Sequence, residues 1–159
     1  MSTNGDLYNS DFYAWTQQQA ALLREGAWQE LDRENLIEEV ESLGRSERHA
    51  LYDRLIVLLT HLLKLQVARA RLPVAYDRNK RGWQTTCRTQ RLRIARLFDD
   101  NPSLRSIVAA ETIKAYAVAW LDAAEALQVD EHTVPPECPW SGDQVLATDF
   151  WPEMDLQGT

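Results

Sequence analysis

The chain has 159 residues, enough for one domain with a buried core, and its 45% hydrophobic and 26% charged residues are typical of a water-soluble globular protein. Two cysteines, Cys87 and Cys138, exclude a disulfide framework and a Cys-x-x-Cys metal motif, so a reducing cytoplasm is the expected location. The N-terminal stretch MSTNGDLYNSDFYAW lacks the features of a secretion signal, and no apolar run reaches the about 20 residues of a membrane span. No membrane association is expected.

The net charge of -7 is unevenly distributed along the chain. Residues 1–44 carry two basic and nine acidic side chains, residues 45–100 carry thirteen basic and five acidic, and residues 101–159 carry two basic and ten acidic. Such an arrangement can neutralise itself within the fold, or it can present a basic surface to an anionic partner. Internal neutralisation is the leading interpretation.

The periodicity predicts an all-α fold, a compact bundle of five to six helices forming a single domain over residues 1–159. Ser10 is the expected cap of a first helix that ends near Gly26. Asp32 is the expected cap of the next helix. Its core-facing stripe is predicted to consist of Leu36, Ile37, Val40 and Leu43. Gly44 either ends this helix or lies within a longer one, and the pattern leaves both possibilities open.

The strongest helical signal follows, and it predicts a long central core helix that ends before Pro73. Its apolar face consists of Leu51, Leu55, Leu58, Leu59, Leu62 and Leu65. The polar segment AYDRNKRGWQ is predicted to be a loop, and a fourth helix is expected to carry the apolar residues from Trp83 to Phe98.

Asn101-Pro102 predicts the start of a fifth helix, or of a broken pair of helices, that runs to about Gln128. This alanine-rich segment has apolar residues on two faces, which indicates burial on two sides, either within the domain or in a homodimer. Ser141 and Gln144 match a capping box. Residues 142–159 are therefore expected to form a short helix and a tail that pack back on the domain.

The segment ENLIEEVESLGRSERH concentrates glutamates near a histidine, as a helical metal site would require. At 100° per residue, Glu34, Glu38 and Glu41 point away from the expected core stripe, and no Glu-x-x-His motif occurs. A solvated or ion-paired face is therefore favoured, with Glu41 placed to pair with Arg45. The metal-site alternative retains three residues, which are Glu39, Glu47 and His61.

The basic segment 69–96 raises the alternative of a nucleic-acid-binding module. The candidate contact residues are Arg88, Arg91, Arg93, Arg96 and Trp83. Against this hypothesis, the arginines of the fourth helix spread around most of its circumference. Cys138-Pro139 resembles the short motif of haem-sensing proteins, but its setting PPECPW is more typical of a rigid connector, and no cofactor is expected.

Several blocks of the chain together carry a family resemblance. They are DFYAWTQQQAALLREGAWQELDRENLIEEVESLGRSER, RLIVLLTHLLKLQ, GWQTTCRTQRLRIARLFDDNPSL, CPWSGDQVL and DFWPE. Together they resemble the bacterial domain-of-unknown-function family 29 over nearly the whole chain. The resemblance implies a compact all-helical cytosolic domain with no catalytic residue to carry over. Arg81-Gly82-Trp83 and Cys87 depart from the family pattern, which has a serine before the tryptophan and an aliphatic residue at the cysteine position.

No nucleophile motif and no glycine-rich phosphate loop occur in the sequence, so no catalytic residue is assigned. The leading hypothesis is a non-enzymatic protein-interaction or regulatory module. Its partner is either another protein or a second copy bound through the alanine-rich helix.

Overall fold

A computed structural model describes residues 4–152, and within them the fold is all-helical, as the periodicity predicts. Its six α-helices are α1 (Asn4–Ser10), α2 (Phe12–Glu25), α3 (Arg33–Arg71), α4 (Pro73–Asp100), α5 (Val108–Leu127) and α6 (Gly142–Leu146). Three short 3-10 helices span Trp28–Glu30, Pro102–Ile107 and Glu131–Thr133. The chain is organised as two compact units, a first unit over Met1–Ser46 and a second unit over Glu47–Thr159.

The long helix α3 has no break at Gly44, which settles the alternative that the pattern left open. A Cβ atom built on Gly44 would meet nothing within 4 Å among the described residues, so the glycine costs only helix propensity and the helix continues through it. The helix ends at Arg71, before Pro73, as predicted, because the residue preceding a proline is disfavoured in the helical region.

In the first unit, α2 begins one residue later than predicted. Ser10 ends α1, and Asp11 caps α2 by accepting a hydrogen bond from the Ala14 amide at 3.0 Å. Helix α2 ends at Glu25, and the next residue, Gly26, caps it with a φ of 71°, in the left-handed region that suits glycine. Trp15 is the large apolar side chain that this unit buries, at 2% exposure.

The core of the second unit is built on α3. Its leucine face is buried as predicted, with exposures of 0% to 4%. The residues are Leu51, Leu55, Leu58, Leu59, Leu62 and Leu65. Cys87, Ile94 and Phe98 of α4 belong to the same cluster, together with Ala115, Tyr116 and Ala119 of α5 and Val134 and Val145 from the C-terminal part.

The predicted loop at residues 75–84 is wrong, because this segment forms the first turns of α4. Pro73 occupies the first turn, where its missing N–H costs nothing. Tyr76 and Trp83 are half-buried against the core, and helical geometry brings both to one side. Burial of these two aromatic side chains stabilises the helix even though the polar composition of the segment favours a loop.

The fifth predicted helix is a broken pair: the 3-10 helix Pro102–Ile107 leads directly into α5. The predicted capping box of α6 is present, with the Ser141 hydroxyl accepting from the Gln144 amide and the Gln144 side chain accepting from the Ser141 amide. Val145 is fully buried and Trp151 is half-buried against the core. Residues 153–159 of the expected tail lie outside the described residues.

Candidate functional site

The first unit leaves an apolar stripe of α3 exposed, contrary to the prediction that this stripe faces the core. Ile37, Val40 and Leu43 are 53%, 67% and 69% exposed, and Leu36 is half-buried. The same side of α3 is fully buried from Leu51 onward. The apolar face of one continuous helix therefore passes from a packed core to solvent. We call Ile37, Val40 and Leu43 the α3 stripe.

Further apolar side chains are exposed elsewhere in the first unit. Phe12, Tyr13, Leu23 and Trp28 have exposures between 44% and 74%. Together with the three residues of the α3 stripe, seven large apolar side chains are exposed in the described part of Met1–Ser46. Trp15 is the large apolar side chain that is buried there. A unit of this size has too little interior to bury its apolar surface by itself. Exposed apolar surface on this scale marks an interaction site.

Polar contacts hold α1 and α2 against the start of α3, beside the stripe. Asp32, immediately before α3, accepts a hydrogen bond from Trp15 Nε1 at 3.0 Å, and its backbone amide donates to Gln19 Oε1 at 2.8 Å. About two turns later, the Tyr8 hydroxyl donates to Glu39 Oε1 at 2.5 Å. This hydrogen bond raises the pKa of Tyr8. The contact to Glu39 places the N-terminal helices about 40° from Leu43 and about 100° from Val40 around α3 at 100° per residue, and the α3 stripe stays exposed beside them.

The glutamates that were predicted to face water do so. Glu34, Glu38 and Glu41 are exposed, and they lie beside the α3 stripe on the side away from Glu39. Arg45 pairs with Glu38 at 2.7 Å and with Glu41 at 3.8 Å, as the spacing predicted for Glu41. Met1–Ser46 carries three basic and nine acidic side chains, so the stripe is set in a strongly acidic unit.

The three residues of the metal-site prediction each have another contact. Glu39 accepts from Tyr8, Glu47 accepts from Asn101 Nδ2 at 3.1 Å, and His61 Nδ1 lies 2.8 Å from the Val57 carbonyl oxygen. Glu47 and His61 are about 21 Å apart along the helix axis, since each residue rises about 1.5 Å. Among residues 4–152, no three His, Cys, Asp or Glu side chains are grouped so that they could hold a metal ion. The metal site stays a prediction.

The candidate nucleic-acid residues on α4 divide into two sets. Arg91 is buried at 4% exposure, and it donates to the Val145 carbonyl and the Phe150 carbonyl, both at 2.9 Å. Its guanidinium also lies 5.0 Å from the Trp151 ring centroid. Arg91 therefore holds the C-terminal segment, and burial lowers its pKa.

The other arginines of α4 are exposed and share one face. They are Arg78, Arg81, Arg88, Arg93 and Arg96, and at 100° per residue they span about 140° of the helix. The prediction that the arginines spread around most of α4 counted Arg91, which the structure shows to be buried. Trp83 is half-buried with Lys64 Nζ 5.0 Å from its ring, so this face of the indole already has a cationic partner.

On α5, the apolar side that carries Ile113, Tyr116 and Trp120 is covered only in part. Tyr116 and Trp120 donate side-chain hydrogen bonds to the Pro135 and Val134 carbonyls at 2.6 and 3.1 Å, so the chain's own connector contacts this side. Ile113 on the same side and Leu121 remain 71% and 50% exposed. The homodimer predicted through this helix stays a prediction, and these two side chains are what it would use.

Neither cysteine lies in a reactive environment. Cys87 is fully buried, and burial raises its pKa to about 12. Cys138 is half-buried, its thiol donates to the Trp140 carbonyl at 3.3 Å, and burial raises its pKa as well. A thiolate, which is the form that attacks carbon or binds metal, is therefore disfavoured at both positions.

Among the helices of residues 4–152, none combines the length and the apolar character that crossing a lipid bilayer requires. No curated protein and no solved structure matches the chain. The blocks that carried the resemblance extend over the two units described above. Residues 7–151 match the model of the family described as "Domain of unknown function DUF29", and the chain belongs to that family.

Proposed function

We propose that the chain is a non-enzymatic protein-interaction module of the cytoplasm, and that the α3 stripe is its principal binding surface. The supporting observation is the exposure of Ile37, Val40 and Leu43 on a helix whose same face is buried from Leu51 onward. Covering three such side chains contributes about 1.5–3 kcal/mol each when burial is complete. A partner that lies along the stripe therefore gains several kcal/mol.

Site-specific photo-crosslinking tests this proposal in cells. A photoreactive phenylalanine derivative replaces Val40 in one variant and Ser46, an exposed residue on another face of α3, in the control. Adducts are expected from position 40 and not from position 46. The crosslinked protein is then identified and titrated against the purified chain. Equal labelling from both positions, or a purified adduct protein that does not bind, contradicts the proposal.

A second candidate function is nucleic-acid binding through the exposed face of α4. The observation that favours it is the restriction of Arg78, Arg81, Arg88, Arg93 and Arg96 to one face. Each phosphate contact that releases a counterion steepens the salt dependence of binding. Fluorescence anisotropy with labelled DNA and RNA at about 50 and 200 mM salt measures this dependence.

The first unit offers a matched control for that candidate. Replacing Arg93 and Arg96 by glutamine is expected to weaken binding and to reduce the salt slope by about two. Replacing the exposed Arg24 and Arg33 by glutamine, which removes the same charge outside the basic segment 69–96, is expected to change the salt slope less. Absence of binding at the lower salt concentration would eliminate this candidate.

The protein partner can also be a second copy bound through α5. Ile113 and Leu121 lie about two turns apart on its exposed side and support this arrangement. Sedimentation equilibrium at concentrations on the order of tens of micromolar measures it directly. A strict monomer there removes this homodimer from consideration and leaves the α3 stripe as the interaction surface.

A further inference from the structure

Resting on the proposed function, we infer that the partner of the α3 stripe is an amphipathic helix with a basic polar face, contributed by another protein. The stripe supplies an apolar contact about two turns long, since Ile37 to Leu43 covers about 9 Å of helix axis. An apolar helix face is covered most efficiently by another helix whose side chains recur at three- and four-residue spacing. This spacing defines the apolar half of the partner.

Gly44 adds an open position beside the stripe. Gly44 follows Leu43, and a Cβ atom built there would lie more than 4 Å from the side chains of the other described residues. At 100° per residue, Gly44 lies between Ile37 and Val40 when viewed along the axis. The stripe therefore ends on a position without a side chain, where a partner backbone can approach α3 closely.

Charge defines the polar half of the partner. Glu34 and Glu41 are exposed directly beside Ile37, and Met1–Ser46 carries nine acidic and three basic side chains. A partner with acidic flanks would be repelled. The α3 stripe of a second copy of the chain has such flanks, because its first unit carries the same excess of negative charge. A partner with lysine or arginine beside its apolar residues gains attraction as it docks. This complementarity favours a basic helix over self-association of two stripes.

The attraction also has a local reason. Arg45 already lies 2.7 Å from Glu38, whereas Glu34 forms no ion pair of this kind with the described residues. The charge that remains for a partner is thus concentrated at the N-terminal end of the stripe. Glu34 and Glu41 lie about 10.5 Å apart along the axis of α3, so two basic residues about two turns apart on the partner helix would reach one glutamate each.

The experiment uses the full chain and three labelled synthetic peptides of about 21 residues, long enough for measurable helicity. The first has leucines at helical spacing and lysines on its polar face. The second has glutamate in place of each lysine. The third has the composition of the first with the leucines moved out of register. Fluorescence anisotropy is expected to show the first binding at least about tenfold more tightly than either control, a difference of about 1.4 kcal/mol.

Variants place the bound peptide on the stripe. Val40→Ser with Leu43→Ser is expected to weaken binding of the lysine peptide by about tenfold or more. Leu92→Ser, at a 70% exposed position on α4, is the matched control and is expected to leave binding unchanged. Glu34→Lys with Glu41→Lys is expected to weaken the lysine peptide and to strengthen the glutamate peptide. Circular dichroism and thermal unfolding check that each variant remains folded.

Three outcomes overturn the inference. One is equal binding of the lysine and glutamate peptides. Another is binding that Leu92→Ser abolishes and the stripe variant does not. The last is a dimer of the chain alone that Val40→Ser and Leu43→Ser dissociate, because a second copy then occupies the stripe. That dimer, or a crosslinked partner without a basic helix, contradicts this inference while leaving the proposed function standing.

Discussion

Arg48 of α3 donates two hydrogen bonds, from Nε at 2.9 Å and from Nη2 at 2.6 Å, to one carboxylate oxygen of Glu111 on α5. Glu111 is 3% exposed, and Lys114 Nζ lies 3.4 Å from the same oxygen. A buried carboxylate without its cation is costly, so this ion pair joins the long helix to α5 at the start of the second unit. The pair Arg45–Glu38 has nearly the same distance, 2.7 Å, but both of its side chains are more than half exposed.

The two pairs are therefore expected to differ in their contribution to stability. Arg48→Met leaves the buried Glu111 with Lys114 alone and is expected to lower the free energy of unfolding by about 2 kcal/mol, because Arg48 itself is half-exposed. Arg45→Met is the control, and it is expected to cost less than about 1 kcal/mol. Urea unfolding followed by circular dichroism measures both. Equal losses for the two variants would contradict the assigned role of burial.

Arg91 is expected to hold the C-terminal segment in place. Arg91→Met removes the charged hydrogen bonds to the Val145 and Phe150 carbonyls and is expected to cost about 3 kcal/mol. Hydrogen exchange is expected to rise within residues 142–152 more than in α3. Arg93→Met, at the exposed neighbour, is expected to change stability by less than about 0.5 kcal/mol. Unchanged exchange in residues 142–152 would show that other contacts hold this segment.

Replacement by alanine is expected to change the stability of the fold in opposite directions at two glycines, Gly44 and Gly142. Gly44→Ala adds a methyl group into open space within a helix and is expected to stabilise the chain by about 0.5–1 kcal/mol. Gly142→Ala places a Cβ atom 2.9 Å from Val108 Cγ1, and a β-branched side chain in a helix has little freedom to move aside. A loss of about 1–3 kcal/mol is expected there. Thermal unfolding of both variants gives the signs, and a stabilising Gly142→Ala would contradict the packing described.

His61 is expected to make the fold less stable in mild acid. Burial lowers its pKa below the ordinary value of 6.5, so the unfolded chain binds the proton more readily than the folded chain. Above about pH 6.5, His61 is neutral in both states and does not affect the free energy of unfolding. As the pH falls from there to the pKa of the folded state, proton binding by the unfolded chain progressively destabilises the fold. Unfolding free energies between about pH 7.5 and 5 test this by comparing the parent with His61→Gln.

The His61→Gln variant is expected to lose less stability over that range than the parent chain. His49→Gln, at an exposed position of the same helix, keeps His61 and is expected to follow the parent. If His61→Gln and the parent lose the same stability, the acid sensitivity arises from other groups and the role assigned to His61 is wrong.

Local patterns in the sequence were sufficient to predict the helical class, the leucine-rich core face of α3 and the main points at which helices stop. The periodicity of Leu51 to Leu65 predicts burial because six leucines on one side of a helix have no stable alternative to a core. Gly26 and Ser141 act through their own backbone and nearest neighbours, so their roles follow from local chemistry. The predicted loop at residues 75–84 failed where packing of Tyr76 and Trp83 overrode composition.

The candidate sites depended on contacts that no local pattern contains. Periodicity identifies the apolar side of α3 but not how far the rest of the chain extends to cover it, so Ile37, Val40 and Leu43 were assigned to the core. The acidic composition and small size of the first 46 residues were the signal that could have indicated otherwise. Arg91 differs from its exposed neighbours in its hydrogen bonds to the Val145 and Phe150 carbonyls. These two residues lie 54 and 59 positions away in sequence, beyond the reach of any local pattern.

The sequence by itself determined the helical class, the family and most of the helices, because these depend on residues within a few turns of each other; α1 and the first turns of α4 are the exceptions. Tertiary structure alone decided that Ile37, Val40 and Leu43 face solvent and that Arg91 is buried. Burial is a property of the whole chain: a side chain is covered when some distant segment packs on it, and the amount of apolar surface in a unit sets how much stays uncovered. The exposed α3 stripe in its acidic unit is the consequence of that limit.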